Sequence, residues 1–226
     1  MNYNFKYYIL YAVLYGVILL IGEGLYRILK LKPEWSRNFS HLAVGIISLP
    51  YPWLFSSHWW VLLLAIQSSL ILYITRTRGL IPSHHISAGK SMGSYLFFAS
   101  IYLCFVVFSY FDRPHYFLFP ILVLSVSDVF ASIMGRYFGR KPNGFLKQLY
   151  AEGKTFAGSL AFFFSAFAVL IGAYYYYMQT EIIYAIGLAF LISMATAITE
   201  AKSSKGYDNF SVPAITLIIM YIIDIL

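Results

Sequence analysis

The chain has 226 residues, of which 60% are hydrophobic and only 11% are charged, and its net charge is +7. A soluble domain carries about 25% charged residues, so this composition excludes an ordinary water-soluble globular protein. The positive charge does not indicate nucleic-acid binding, because membrane proteins gather lysine and arginine on one side of the bilayer.

Long apolar blocks follow one another along the chain and predict helices that span a membrane. Such a helix needs about 20 mostly apolar residues, and backbone groups in lipid have to be hydrogen-bonded internally. Runs such as Ile215–Ile223 do not alternate as the strands of a β-barrel do. The sequence therefore predicts an all-α, polytopic integral membrane protein with about eight spans. They lie near Phe5–Ile28, Asn38–Phe55, Trp59–Ile74, Met92–Phe111, His115–Met134, Phe156–Met178, Ile182–Thr199 and Phe210–Leu226. Because Pro50 and Pro52 lie at the boundary of the second span, seven is the alternative count.

Basic residues gather in the loops on one side of these helices. All but Lys6 and Arg113 of the 16 lysines and arginines fall in four such loops. These loops are Arg27–Arg37, Arg76–Lys90, Arg136–Lys154 and Lys202–Lys205. The positive-inside rule identifies their side as cytoplasmic and places both termini outside. We expect one multi-pass domain, residues 1–226, in a prokaryotic cytoplasmic membrane, in contact with membrane lipids.

The first polar cluster lies inside the fifth predicted helix. Asp128, Ser132 and Gly135 have the spacing i, i+4, i+7 and share one face of a helix, which Arg136 adjoins. A charged residue within a membrane helix costs about 2.5–3.5 kcal/mol on insertion scales, so it normally faces a polar cavity or a partner. Two interpretations remain: a functional carboxylate, or an Asp128–Arg136 ion pair that only holds helices together.

The second cluster opens the sixth predicted helix. Gly153, Lys154 and Thr155 resemble the end of a P-loop, but Gln148 stands where that motif needs its first glycine. A lysine at a helix N-terminus can still form a phosphate site. The alternative is a lysine at the membrane surface, with Thr155 as the N-cap of the helix.

The third cluster lies between the last two predicted helices. Glu200 closes one helix, and Asp208 and Asn209 open the next. Carboxylate oxygens suit Mg²⁺, which usually joins protein carboxylates to substrate phosphates. The alternative is a polar turn in which Asp208 or Asn209 caps the last helix.

Together these clusters favour phosphoryl transfer. They provide carboxylates for a metal ion, lysine and arginine for phosphates, and glycines for close approach. No nucleophile–base pair typical of a hydrolase accompanies them. Arg37 and His41, one helical turn apart at an inner helix start, are weaker candidates on the substrate side, with a membrane-surface anchor as the alternative.

The three clusters, in this order, resemble the polyprenol kinase family, which includes dolichol kinase and phytol kinase. The matching residues are Asp128, Ala131, Gly135, Arg136, Phe138, Gly139, Lys154, Thr155, Gly158, Ser159, Glu200, Lys205, Gly206, Asp208, Asn209, Val212 and Pro213. The resemblance covers residues 37–213. The first two clusters are also similar to CDP-diacylglycerol synthases, whose closing signature is missing here.

The resemblance implies a CTP-dependent kinase that converts phytol, dolichol or another membrane-embedded polyprenol to its monophosphate, with Mg²⁺ or Mn²⁺. Asp128, Glu200 and Asp208 are then expected to hold the metal and to act with Lys154, and Asp208 to accept the alcohol proton. The residues expected at the nucleotide are Gly135, Arg136, Gly139, Lys154, Thr155, Gly158, Lys205 and Asn209. A phosphatidate cytidylyltransferase-like enzyme and a non-enzymatic membrane transporter remain as alternatives.

Overall fold

The computed structural model describes residues 3–83, 91–138 and 154–225, and within these ranges the chain is helical and has no β-strand. The all-α prediction is therefore confirmed. The helices are α1 (Tyr3–Arg27), α2 (Pro33–Ser48), α3 (Tyr51–Leu54), α4 (His58–Thr77), α5 (Gly93–Phe111), α6 (His115–Phe138), α7 (Phe156–Tyr177), α8 (Ile182–Lys202) and α9 (Asp208–Ile225).

Among the described helices, seven are long and apolar enough to cross a membrane, namely all except α2 and α3. This confirms a polytopic membrane protein, and the count of single spanning helices is seven, the lower of the two predicted counts. The predicted span Asn38–Phe55 is instead divided between α2 and α3. Pro50 has no N–H to continue the helical hydrogen bonds, and the N–H of Leu49 bonds to the carbonyl of Ile46, three residues back, so α2 ends at Ser48.

The divided segment nevertheless runs the length of α1. Ser36 donates a hydrogen bond to the carbonyl of Gly22, near one end of α1. At the other end, Nδ2 of Asn4 donates to Oγ of Ser56 over 2.8 Å. α2 and α3 together therefore return the chain to the start of α1, as the predicted second span required.

The chain forms two compact units, Met1–Phe117 and Leu118–Leu226. In the first unit α1 packs against α2 and α4, and α4 packs against α5. Its core contains a pair of buried tyrosines, Tyr15 and Tyr51, whose hydroxyl oxygens are 2.5 Å apart. Each hydroxyl thereby finds a polar partner in an otherwise aromatic interior.

In the second unit α7 packs against α6 and α8, and α8 packs against α9. Within α6, Val123–Ser127 forms a π-helical turn that ends directly before Asp128. Such turns occur frequently at functional sites. The second unit carries the three polar clusters, each at or beside a helix end or this turn.

Candidate active site

The centre of the candidate site is the ammonium group of Lys154, which lies between two carboxylates from different helices. Nζ is 2.5 Å from Oε1 of Glu200 and 2.5 Å from Oδ2 of Asp208. Glu200 belongs to the last turn of α8, and Asp208 is the first residue of α9. Both acids are buried, and the Lys154 side chain is 18% exposed. Lys154 thus pairs with acids of the protein and does not merely extend its charge into water, as an anchoring lysine would.

The charge balance of this cluster favours the protonated lysine. Burial alone lowers the pKa of Lys154, but the negative charges of Asp208, Glu200 and Asp128 together outweigh it. The net pKa is therefore raised above that of an ordinary lysine. The ammonium of Lys154 thus interacts with acids from three helices, α6, α8 and α9.

A tight turn brings Glu200 and Asp208 together. Lys205 and Gly206, at its centre, both have positive φ angles, 53° and 86°. Glycine adopts this left-handed conformation without steric cost, which accounts for its presence here. The hydroxyls of Ser203 and Ser211, 3.0 Å apart, join the two sides of the turn.

A second, very close contact joins α6 to the start of α7. A Cβ atom on Gly135 would lie 2.8 Å from Oγ1 of Thr155 and 3.4 Å from the Cα of Gly158. A Cβ atom on Gly158 would lie 3.1 Å from the carbonyl oxygen of Ala131. Both glycines therefore allow two helices to approach, and their assignment to nucleotide binding stays a prediction.

Thr155 fixes the start of α7. Its Oγ1 accepts a hydrogen bond from the backbone N–H of Gly158 over 3.1 Å, so it is the N-cap residue. This contact sets the position of Lys154, the residue immediately before it. The N-cap alternative for Thr155 is correct, and it is compatible with a functional Lys154.

Arg136 lies on α6 beyond Asp128. Its Nε donates to the carbonyl oxygen of Ser132 over 2.9 Å, and its Nη2 donates to the Ser132 hydroxyl over 2.7 Å. Asp128 acts electrostatically on Lys154 and Glu200, so it belongs to the same charged cluster. The proposed Asp128–Arg136 ion pair stays a prediction.

The remaining predicted residues have different surroundings. Asn209 is buried beside Asp208, and its backbone N–H donates to Oδ1 of Asp208 over 3.1 Å. Lys205 is exposed in the α8–α9 turn. Arg37 and His41 belong to the first unit, where the His41 ring lies 4.1 Å from that of Phe97. Gly139 lies outside the described residues. The roles of these residues stay predictions.

Two polar residues, Ser159 and Glu23, have contacts that the sequence analysis does not predict. Ser159 donates from Oγ to Oε2 of Glu200 over 3.1 Å and so fixes the second oxygen of that carboxylate. Glu23, buried in α1, accepts hydrogen bonds from Arg27 and from the Ser83 hydroxyl. A carboxylate inside the first apolar block was a visible signal for Glu23. No spacing rule could have paired Ser159 with Glu200, 41 residues away.

The donor set fits a magnesium ion that is shared with a nucleotide. No group of three His, Cys, Asp or Glu side chains that could hold a metal occurs in the described part of the chain. Mg²⁺, however, is usually bound by one or two carboxylates together with substrate phosphates. Glu200 and Asp208, which already hold one cation between them, supply such a pair.

Comparison with known proteins found similarity to a kinase. A phytol kinase from Synechocystis sp. is 25% identical to this chain over 202 residues, which cover 89% of this chain and 84% of that protein. The chain is thus similar to a phytol kinase over most of its length. No family model matches the sequence, and no solved structure matches it. The resemblance to polyprenol and phytol kinases is therefore confirmed, whereas the similarity to CDP-diacylglycerol synthases receives no support from these comparisons.

The similarity to the phytol kinase bears on the charged cluster of the second unit. It covers nearly the whole length of both proteins, so the likeness is not limited to one apolar segment. Kinase chemistry requires groups that bind phosphates and neutralise their charge. The cluster of Lys154, Glu200 and Asp208 is the part of the second unit whose chemistry best meets this requirement.

Proposed function

We propose that this protein is a CTP-dependent kinase that phosphorylates a membrane-embedded isoprenoid alcohol, such as phytol or another polyprenol, to its monophosphate. The observation that carries the proposal is the buried cluster in which Lys154 lies between Glu200 and Asp208. The relative named phytol kinase supports the alcohol class. The choice of CTP rests on the family resemblance.

In this proposal the three carboxylates have two functions, metal binding and proton acceptance. Glu200 and Asp208 hold a magnesium ion, which when bound supplies positive charge to the phosphates of the nucleotide. Asp128 accepts the proton of the alcohol. We assign this function to Asp128 in place of Asp208, because Asp208 is here assigned to the metal ion and Asp128 belongs to the same charged cluster.

The transfer itself needs no covalent enzyme intermediate. The alcohol oxygen forms a bond to the γ-phosphorus, the bond from that phosphorus to the β–γ bridging oxygen breaks, and CDP leaves. Lys154 and Arg136 neutralise the charge on the transferred phosphoryl group. Catalysis of this kind consists mainly of positioning and electrostatic stabilisation.

The membrane setting determines how the substrates meet. The isoprenoid chain is soluble only in lipid, whereas the nucleotide is soluble only in water, so the reaction has to occur at the membrane surface. We place the site on the cytoplasmic side, because the loops that flank it belong to the side whose four loops carry all but two of the 16 lysines and arginines. A soluble macromolecular partner such as nucleic acid is not required.

The test is product analysis with purified protein in liposomes. With CTP labelled on the γ-phosphate, Mg²⁺ and a panel of prenols, we expect label in a lipid monophosphate and release of CDP. Formation of a CDP-lipid with release of pyrophosphate would establish a cytidylyltransferase instead. Full activity in excess chelator would reject the metal, and a strong preference for ATP would reject the assignment of CTP.

A further inference from the structure

A cation already lies between the two buried carboxylates of the candidate active site. Nζ of Lys154 is 2.5 Å from Oε1 of Glu200 and 2.5 Å from Oδ2 of Asp208. These oxygens are therefore at most about 5 Å apart, twice that distance. Magnesium binds carboxylate oxygens at about 2.0–2.1 Å. An ion bound by both groups would take the space that the ammonium now fills.

The ammonium and a metal ion cannot both occupy this space. Two positive charges a few ångströms apart repel each other strongly where water is excluded. The carboxylates, in turn, need a counter-ion, because an unpaired buried charge is strongly destabilising. A metal ion that binds Glu200 and Asp208 therefore has to release Lys154, and the released ammonium then needs another anion.

The side chain of Lys154 is able to change partners while the backbone stays in place. Its four-carbon stem is flexible, and 18% of the side chain is exposed. The backbone beside it is fixed by Thr155, which caps α7. The same helix start is a favourable place for phosphate groups, because its first N–H groups point outward. The ammonium can thus reach a phosphate bound there without movement of α7.

We propose that Lys154 is an internal counter-ion that a metal–triphosphate complex displaces from Glu200 and Asp208. The inference rests on the proposed function and deepens it. Without nucleotide, Lys154 neutralises the two acids. When the complex binds, Lys154 transfers to the phosphate oxygens. It follows that the divalent cation alone binds weakly, because the triphosphate that would receive the displaced ammonium is then missing.

The direct test measures the binding of Mn²⁺ to detergent-purified protein in the absence of nucleotide. Electron paramagnetic resonance detects the free and the bound ion. Lys154→Met removes the competing charge and keeps the length of the side chain, so we expect it to bind Mn²⁺ at least about tenfold more tightly than the wild type. Lys154→Arg keeps the charge and should bind as weakly as the wild type. Lys154→Met with wild-type or weaker affinity would overturn the proposal.

A second measurement uses the unaltered protein and decides the matter if Lys154→Met fails to fold. An amine-acetylating reagent, with peptide mass spectrometry, reports the reactivity of each lysine. A saturating Mn²⁺ concentration should raise the reactivity of Lys154, and a non-hydrolysable triphosphate added with it should lower it again. Lys30 and Lys32, in the first unit, are the controls and should not change. Unchanged reactivity of Lys154 when Mn²⁺ binds would contradict the displacement.

Neither measurement depends on turnover, so the two proposals fail separately. If Lys154 is displaced by Mn²⁺ but no lipid phosphate forms with any prenol, the displacement stands and the kinase proposal is wrong. If lipid phosphate forms but neither Mn²⁺ binding nor lysine reactivity changes as expected, the kinase proposal stands and the displacement is wrong.

Discussion

Replacement of Gly135 by alanine tests the close helix contact beside the candidate site. The new methyl group would lie 2.8 Å from Oγ1 of Thr155, far inside contact distance, and 3.4 Å from the Cα of Gly158. Over-packing of this kind typically costs about 1–3 kcal/mol, and loss of the Thr155 cap would cost about 1 kcal/mol more. Alanine regains about 1 kcal/mol through its higher helix propensity. We therefore expect Gly135→Ala to be less stable than the wild type by roughly 1–3 kcal/mol.

Unfolding followed by far-ultraviolet circular dichroism in detergent measures this difference, because all four tryptophans lie in the first unit and would not report on the second. Gly172→Ala, in the same helix as Gly158, is the matched control, because no atom lies within 4 Å of the position that its new methyl group would take. It should be as stable as the wild type or more stable by up to about 1 kcal/mol. The double variant Gly135→Ala/Thr155→Ala removes the hydroxyl that causes the clash, so its cost should be less than the sum of the two single costs.

The reasoning is refuted if Gly135→Ala is as stable as the wild type while Gly172→Ala behaves as expected. The helices would then be able to separate without cost, and the glycines would have no packing function. Activity should follow stability, because a displaced Thr155 also moves Lys154. Normal turnover in a destabilised Gly135→Ala protein would show that this contact does not position the lysine.

Three further outcomes are expected. Asp128→Asn should lower kinase turnover at least about 100-fold, roughly 2.7 kcal/mol of barrier, without loss of folding, and normal turnover in a folded variant would exclude Asp128 from catalysis. A cysteine placed at Gly144 in a Cys104→Ala background should react with an impermeant reagent from the cytoplasmic side, and labelling from the outside alone would overturn the orientation. Because the pKa of Lys154 is raised, its ion pairs stabilise the fold below the pKa of an ordinary lysine and are lost only as pH rises through the raised value. The difference in melting temperature between wild type and Lys154→Arg, whose charge does not titrate in this range, should thus stay constant from about pH 7 to about pH 10, and an earlier loss of stability in the wild type would contradict the raised pKa.

The fold was largely predictable because hydropathy and charge are local properties of a membrane sequence. Apolar blocks give the spans directly, and helix ends follow from the polar residues between them. The division at Pro50 was harder to foresee. A proline can bend a membrane helix or end it, and the choice depends on which neighbouring groups satisfy the freed backbone carbonyl.

The site was predictable as a set of residues but not as a set of contacts. Lys154 is 46 residues from Glu200 and 54 from Asp208, so no helical spacing rule could show that one ammonium lies between both acids. For the same reason Gly135 and Gly158 were assigned to nucleotide binding. Glycine allows close approach of any neighbour, and the sequence does not tell a helix from a phosphate.

The central claim is that the cluster around Lys154 is the active site of a lipid-alcohol kinase, and Glu200→Gln tests it most directly. The substitution keeps the size of the side chain and leaves Lys154 paired with Asp208. Glu181→Gln, at the exposed far end of the same helix, is the control. The measurement is the rate of lipid monophosphate formation, with the melting temperature taken on the same preparation. We predict a loss of at least about 100-fold in Glu200→Gln, an unchanged rate in Glu181→Gln and a folded protein in both. A folded Glu200→Gln protein with a near-normal rate would contradict the account.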